Sequence, residues 1–362
     1  MERLYSNSRI DRCGDFLALR KPVLWPSGDR EIDAAIDTEF DILSAWRSLH
    51  AYPLEVVSRQ LKKRTKTIDD SAVFAERLKR YPSIRYKLRR ERSMELTTMQ
   101  DIAGCRAVVS TIQQVYQLKR KYDEYARRHP NIGPELVARW TKDYIRFPKD
   151  DGYRSIHVVL KYRSDDPKRK QFNGLRIEIQ IRSRLQHAWA TAVETASSVT
   201  NQALKSGRGE DNWKRFFRLM GDFIAMQEEC PLLATNAENE LTLKAEASEL
   251  ATRLRVIPLL EGMRHVIENF QGSGSDDYYL LILDSRNRTV RTKGFRESDF
   301  PVATAAYSQE ERVNKDNDDV HVVLVRVASI GELKKAYPSY FLDSTNFVIQ
   351  VKQMFSQGQT VS

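Results

Sequence analysis

Two carboxylates stand out by the company they keep. Asp101 opens the stretch D-I-A-G-C-R, and Glu178 is the third residue of R-I-E-I-Q-I-R. The second stretch alternates without a slip: Ile177, Ile179 and Ile181 point one way, while Arg176, Glu178, Gln180 and Arg182 point the other, as in a half-buried strand. A third polar cluster, G-Y-R-S-I-H from Gly152 to His157, puts Tyr153, Ser155 and His157 on one face of a strand and Ile156 and Val158 on the other. If these strands pair, the open face of one sheet gathers two carboxylates, an aromatic ring, a histidine and several arginines. Two carboxylates on one face suit a Mg²⁺ ion that keeps water and substrate phosphates as its other ligands. Between Arg77 and Arg92 there are eight basic residues and one acid, a positive clamp for a polyphosphate. The chemistry implied is phosphoryl-type transfer, in which positioning and charge stabilisation do most of the catalysis.

The elements that must hold these residues can be read in outline. Residues 1–30 read as irregular, with Gly14, Pro22, Pro26 and Gly28. An amphipathic helix is predicted over 31–50, a break at Pro53, and a second helix through L-E-V-V-S-R-Q-L-K-K-R. Phe74–Arg92 is predicted as two helices divided by Pro82. From Asp101 the pattern becomes α/β. D-I-A-G-C-R-A-V-V-S reads as a strand and V-Y-Q-L-K-R-K-Y-D-E-Y-A as a helix. Y-R-S-I-H-V-V-L-K-Y and R-I-E-I-Q-I-R form a hairpin, and a helix starts near Ser183 or Arg184. Helices fill most of 184–270. Q-G-S-G-S-D-D at 271–277 has the composition of a flexible linker. Beyond it, Y-Y-L-L-I-L-D, R-T-V-R-T-K, V-H-V-V-L-V-R-V and F-V-I-Q-V read as strands of a small α+β unit. The fold class is therefore α/β (α+β), with a mixed sheet flanked by helices. The organisation expected is an N-terminal segment 1–39, a catalytic domain 40–200, a helical segment 201–270 and a small α+β domain 271–362.

Composition narrows the function further. The 362-residue chain carries a net charge of +10, but residues 51–200 hold 32 Lys and Arg against 17 Asp and Glu, and the remainder 27 against 32. A polyanion partner is expected for that one region: nucleotide phosphates, RNA or an acidic protein. No apolar run reaches the ~20 residues of a membrane-spanning helix, and the N-terminus lacks the apolar core of a secretory signal. Cys13, Cys105 and Cys230 are odd in number and contain no C-x-x-C pair, so neither a disulfide framework nor a zinc site is indicated and a cytoplasmic location is expected. P-loop, protein-kinase, H-E-x-x-H and G-x-S-x-G motifs are missing, as is any H-D dipeptide for a metal-dependent phosphohydrolase.

In order, R-L-K-R-Y-P-S-I-R-Y-K-L, D-I-A-G-C-R, K-D-Y-I-R-F-P-K-D-D-G-Y-R-S-I-H and I-E-I-Q-I-R-S-R-L-Q-H-A-W-A resemble the synthetase domain of the RelA/SpoT family, with its nucleotidyltransferase-like fold, over residues 40–200. The resemblance implies a GTP pyrophosphokinase of the stringent response, making (p)ppGpp from ATP and GDP or GTP. The long members' hydrolase and C-terminal regions have no counterpart, so the chain resembles a small synthetase. That group includes toxin–antitoxin members that pyrophosphorylate the 3′ end of tRNA or make adenosine alarmones, with a place in phage defence.

The family's roles fall on residues of this chain as follows. Asp101 and Glu178 would hold Mg²⁺, Glu178 also taking the proton of the attacking 3′-hydroxyl. Arg77 and Arg106 would flank the adenine of ATP; Lys79, Ser83 and Lys87 would hold its phosphates. Tyr153 would stack on the acceptor base, with His157 and Gln180 beside it. Arg176 and Arg182 are phosphate or structural partners, and His187 and Trp189 are expected to pack a helix on the sheet. Lys62, Lys63, Arg64 and Lys66 would be either a solvated face or the grip on a tRNA acceptor stem. The acidic clusters Asp276–Asp277 and D-N-D-D from Asp316 to Asp319 suggest that the 271–362 unit docks on the basic 51–92 segment and restrains the active site until a ligand or a regulatory protein removes it; the alternative is a dimerisation or passive stabilising module.

Overall fold

The computed structural model describes residues 4–19, 30–128, 135–136, 141–200, 211–233, 240–261, 266–271, 344–358 and, apart from 274, 275, 285, 288, 315, 316, 318 and 319, residues 273–326. Helices α1 (Asn7–Leu19), α2 (Arg30–Leu49) and α3 (Ala51–Lys66) precede β1 (Val73–Leu78), α4 (Tyr81–Arg90), β2 (Ala103–Val109) and α5 (Ile112–Arg128). The short strands β3 (Glu135–Leu136) and β4 (Lys142–Asp143) lead to β5 (Ile156–Lys161) and β6 (Arg176–Ser183). Then come α6 (Arg184–Thr200), α7 (Asp211–Gln227), α8 (Glu240–Arg253), α9 (Val256–Glu261), β7 (Val266–Gln271), β8 (Tyr278–Asp284), β9 (Thr289–Phe295), α10 (Phe300–Val313), β10 (Val320–Arg326) and α11 (Thr345–Gly358).

All ten described strands belong to one mixed sheet, ordered β3-β5-β6-β2-β1-β10-β8-β9-β7, with β4 also pairing with β5. The β2–β6 and β7–β9 pairs are parallel and the rest antiparallel. The three isoleucines of β6 are fully buried with Cys105, Ala107, Val158 and Leu118 against α3 and α5. The face of β6 with Glu178 and Gln180 is left half-open. A separate core joins α6, α7, α8, α9 and α11 through Trp189, Phe216, Phe217, Met220 and Phe347.

Four expectations need correction. Residues 7–19 form a helix, not irregular chain: Ile10, Cys13 and Leu17 bury one face of it. Gly14, which argued against a helix, is needed there because a Cβ would come 2.8 Å from the Leu96 side chain. Residues 73–78 are a strand rather than a helix, because two neighbours claim them, β2 along the whole length and β10 at Arg77↔Val325. Residues 266–270, assigned to the helical segment, and Gln271, assigned to the linker, are β7. F-V-I-Q-V, read as a strand, lies inside α11, where Phe347, Val348, Val351 and Met354 follow helical spacing. The helix α10 was not foreseen within the last unit. The boundary drawn after residue 270 falls at the end of β7, and the sheet runs on across it through β10 to β1. In the predicted linker, Asp276 is buried and accepts bonds from Ser273 N (2.8 Å) and Oγ (3.0 Å), while Asp277 accepts from Glu297 N; Asp316, Asp318 and Asp319 lie outside the described residues.

The loop before β5 is clamped from behind by α7. The Arg154 guanidinium donates to Asp222 Oδ1 at 2.6 Å, to Gly152 O and to Pro231 O, and Asp222 also accepts Leu233 N. Both side chains are buried, Asp222 completely. Gly152 has φ of 88° and lies so close to α7 that a Cβ would stand 3.1 Å from Phe217 O and from Arg218 Cα. Asp222→Ala would strand a buried guanidinium, and we expect a loss of about 3–5 kcal/mol in chemical denaturation; a loss below about 1 kcal/mol would mean that the pair does not close the loop.

Candidate active site

The strand registers assemble the site row by row. Arg77 on β1 pairs with Gly104 on β2, Gly104 with Glu178 on β6, and Glu178 with Val159 on β5. The next row runs Ala75, Arg106, Gln180, His157. Residues in one row point to the same side of a sheet. Gly104, placed between Arg77 and Glu178, contributes no side chain and leaves that part of the floor open; even a Cβ would come 3.2 Å from Glu178 O.

At one end of this floor, β1 and β2 run antiparallel and Lys79 N donates to Ile102 O at 2.7 Å. That brings Lys79 beside Asp101. Lys79 Nζ lies 2.7 Å from Asp101 Oδ2, and Lys87 Nζ, on α4, lies 3.0 Å from Oδ1. Ser83 and Lys87 are one turn apart on α4 and so share its face. Burial pushes the Asp101 carboxyl up, but the two ammonium groups outweigh it and hold it below the usual range. Burial lowers Lys79 despite its partner.

At the other end, Glu178 is held by two donors. Oε1 is 2.9 Å from His157 Nδ1, and Oε2 accepts from Gln180 Nε2 at 2.8 Å. His157 Nε2 lies 2.7 Å from the Tyr153 hydroxyl. Arg182 donates to that hydroxyl at 2.7 Å and to Gln180 Oε1 at 3.0 Å. Burial would raise Glu178, but the charge and hydrogen bond of His157 and the Gln180 amide hold it well below the usual carboxylate range. Burial opposes the charge on His157, yet Tyr153 and Glu178 push it up to about 9. Burial would likewise raise Tyr153, but Arg182 and His157 bring it down to about 7. Tyr153, His157 and Glu178 thus form one proton-linked chain.

The structure therefore brings Asp101, Lys79 and Lys87 together, and Glu178, His157, Gln180 and Tyr153 together. Arg106 faces His187, with NH1 3.3 Å from Nδ1, so His187 meets the site through Arg106 as well as packing α6. Trp189 packs as expected and donates Nε1–H to Phe217 O at 2.8 Å. Tyr153 and Ser155 precede β5 rather than lying on it, and Ser155 is buried, donating to Ile181 O at 3.1 Å. Arg176 donates to Thr98 O. Of the basic residues on α3, Arg64 stacks on Tyr122 and Tyr125, whereas Lys63 and Lys66 are exposed. Two neighbours of Tyr153 were missed. Tyr144 meets the Tyr153 and His157 rings edge-on at 5.9 and 5.1 Å, and Lys149 Nζ lies 4.6 and 4.9 Å from the centres of the Tyr144 and Tyr153 rings. Their signal was present in K-D-Y-I-R-F-P-K-D-D-G-Y, where an aromatic and a lysine recur just ahead of Tyr153.

Asp101 and Glu178 are close enough to repel each other. The described residues hold no cluster of three or more His, Cys, Asp or Glu fit for a metal. The donor set is thus two carboxylates, which fits a hard cation that fills its other positions with water and phosphate oxygens. The ammonium groups of Lys79 and Lys87 now supply the positive charge around Asp101.

Residues 76–200 match the model of a region found in RelA / SpoT proteins. This stretch is a RelA/SpoT-family domain. Two Bacillus subtilis proteins named GTP pyrophosphokinase are similar to it. YwaC is 30% identical over 165 residues, covering 43% of this chain and 65% of YwaC, and YjbM is 32% identical over 117 residues, covering 32% and 51%. The match spans less than two thirds of either relative's length. Among solved structures, small alarmone synthetase 1 from Bacillus subtilis is 24% identical, with a TM-score of 0.41, covering 51% of this chain and 91% of that one. The same synthetase bound to its product pppGpp gives a TM-score of 0.40 at 24% identity, covering 51% and 93%. The residues expected to bind metal, ATP and acceptor base lie inside the matched stretch, whereas Lys62, Lys63, Arg64 and Lys66 precede it and α7, α10 and β10 lie beyond it. No helix among the described residues is long and apolar enough to cross a membrane.

The proton-linked chain gives a direct test. Tyr153 ionises near pH 7 instead of the ordinary 10.0. Because its folded value lies below its unfolded one, the stability that the phenolate contributes is complete above pH 10 and is lost as pH falls through about 7. His157, raised from 6.5, contributes fully below pH 6.5 and loses that contribution as pH rises through about 9. Ultraviolet titration should show one tyrosinate forming near neutrality, absent from Tyr153→Phe; identical titrations of the two proteins would refute the assignment.

Proposed function

We propose that this protein is a pyrophosphokinase that transfers the β,γ-pyrophosphate of ATP to the 3′-hydroxyl of GDP or GTP. One observation carries the reading: Asp101 with Lys79 and Lys87 stands at one end of a half-open sheet face, and Glu178 with His157 and Tyr153 at the other. Asp101 and Glu178 would hold Mg²⁺, which when bound supplies charge neutralisation on the phosphates.

The residues then divide the work. Arg77 and Arg106 flank the adenine. Ser83, Lys79 and Lys87 hold the donor phosphates, the two lysines exchanging Asp101 for phosphate oxygens as ATP enters. Tyr153 stacks on the acceptor base, with Tyr144 and Lys149 at its edge. His157 and Gln180 fix the Glu178 carboxylate by donating one hydrogen bond to each oxygen. The acceptor 3′-oxygen bonds to the β-phosphorus as the bond from that phosphorus to the oxygen bridging it to the α-phosphorus breaks. AMP departs with that oxygen, and the hydroxyl proton passes to Glu178. A carboxylate held as low as Glu178 is a weak base, and the incoming phosphate charges raise its basicity.

Incubation with γ-labelled ATP and separate acceptors (GDP, GTP, AMP, ADP, ATP and bulk tRNA) tests the reading, and label in GDP or GTP is expected. Label in tRNA or in adenosine nucleotides alone would replace the acceptor, and exposed Lys63 and Lys66 would then be the first candidates for gripping an acceptor stem. Glu178→Gln should lose at least ~100-fold in kcat with the fold retained. Tyr153→Ala should raise the acceptor KM by about 5- to 100-fold, the worth of one stacked base, and leave the ATP KM nearly unchanged; the reverse pattern would place Tyr153 in the donor pocket.

A further inference from the structure

Glu311, on α10, lies far beyond the RelA/SpoT match, yet its carboxylate reaches the start of the helix that carries Ser83 and Lys87. Oε2 accepts from Arg47 NH1 at 2.5 Å. Oε1 accepts from the Tyr307 hydroxyl at 2.8 Å and from the backbone N of Tyr81 at 3.2 Å. Arg47 also donates to the Tyr307 hydroxyl. The Arg47, Tyr307 and Glu311 side chains are all buried.

Tyr81 is the first residue of α4, where backbone N–H groups have no partner within the helix. The usual remedy is a local side chain at the N-cap position. Here that residue is Arg80, which makes no capping hydrogen bond, and Pro82 has no N–H to offer. The acceptor comes instead from 230 residues further along the chain, and it is an anion at the positive end of the helix. The segment after residue 271 grips the neighbourhood twice more. Arg312 donates to Asp41 at 2.6 Å and lies over the Phe40 ring, which packs on Tyr81 with ring centres 5.3 Å apart. β10 pairs with β1 at Arg77, two residues before Lys79.

We infer that Glu311 is a positioning residue for ATP: by capping α4 it sets where Ser83 and Lys87 stand, so the segment after residue 271 supports donor binding. This inference rests on the proposed reaction for its substrate and on the observed contacts for its mechanism.

The test uses the full chain and two changes, Glu311→Gln and the paired replacement Arg47→Met with Glu311→Leu. The pair removes the buried charges together, an exchange that folded proteins tolerate far better than the loss of one partner. Folding is checked by circular dichroism and melting. In the folded variants, the Kd for a non-hydrolysable ATP analogue and the ATP KM should rise about fivefold or more, in line with loss of a helix cap, while the acceptor KM stays within about twofold. An unchanged analogue Kd in the folded pair variant overturns the inference, and so does an equal rise for donor and acceptor, which would indicate general loosening. If wild-type protein labels no acceptor, the proposed reaction fails; the analogue Kd still decides whether Glu311 positions a nucleotide site.

Discussion

Asp101 and Glu178 repel each other in a half-buried cleft, and the surroundings are arranged to keep both ionised. A carboxylate removed from water tends to take up a proton unless fixed positive charge or hydrogen-bond donors hold it as an anion. Lys79 and Lys87 do this for Asp101, and His157 and Gln180 for Glu178. Each donor comes from a different element: the end of β1, the helix α4, the strand β5 and β6 itself. The charge balance of the site is thus a demand on tertiary structure, met only when β1, β2, β5 and β6 stand in their observed register.

The supports for that register lie largely outside the residues of the candidate site. Behind Tyr153, the buried Arg154–Asp222 pair ties the loop before β5 to α7. Beside Lys79, β10 extends the sheet past β1, and α10 meets α2 and α4. The Asp101 end and the Glu178 end each have their own buttress, and in each the supporting element, α10 with β10 or α7, lies beyond the RelA/SpoT match.

The grouping of the candidate site was legible because its signals are local. Strict alternation in R-I-E-I-Q-I-R put Glu178 and Gln180 on one face, and β6 has that pattern of burial through Ile181, after which Arg182, expected on the open face, is buried. D-I-A-G-C-R likewise located β2 and the carboxylate before it. What could not be read is what depends on partners distant in sequence. V-F-A-E-R-L has no strong period, and it became a strand because β2 and β10 hydrogen-bond to it. Gly14 signals a break until Leu96 is seen against it. F-V-I-Q-V is rich in strand formers, yet its helical fit to Phe216 and Phe217 prevails. The cap on α4 was invisible for the same reason, since nothing around Arg80 announces a carboxylate 230 residues away.

The pairing of β1 with β10 has a bearing on synthesis. As the chain leaves the ribosome, the region through β6 emerges well before residues 320–326, so the β1 edge and the start of α4 stay uncovered while more than a hundred residues are still to be made. An unpaired strand edge invites association with other chains, and pairings so far apart in sequence form slowly. Until they form, the nascent protein contains the side chains of the candidate site without the frame beside Lys79 and α4, and closing the sheet makes assembly of that end wait for residues 320–326.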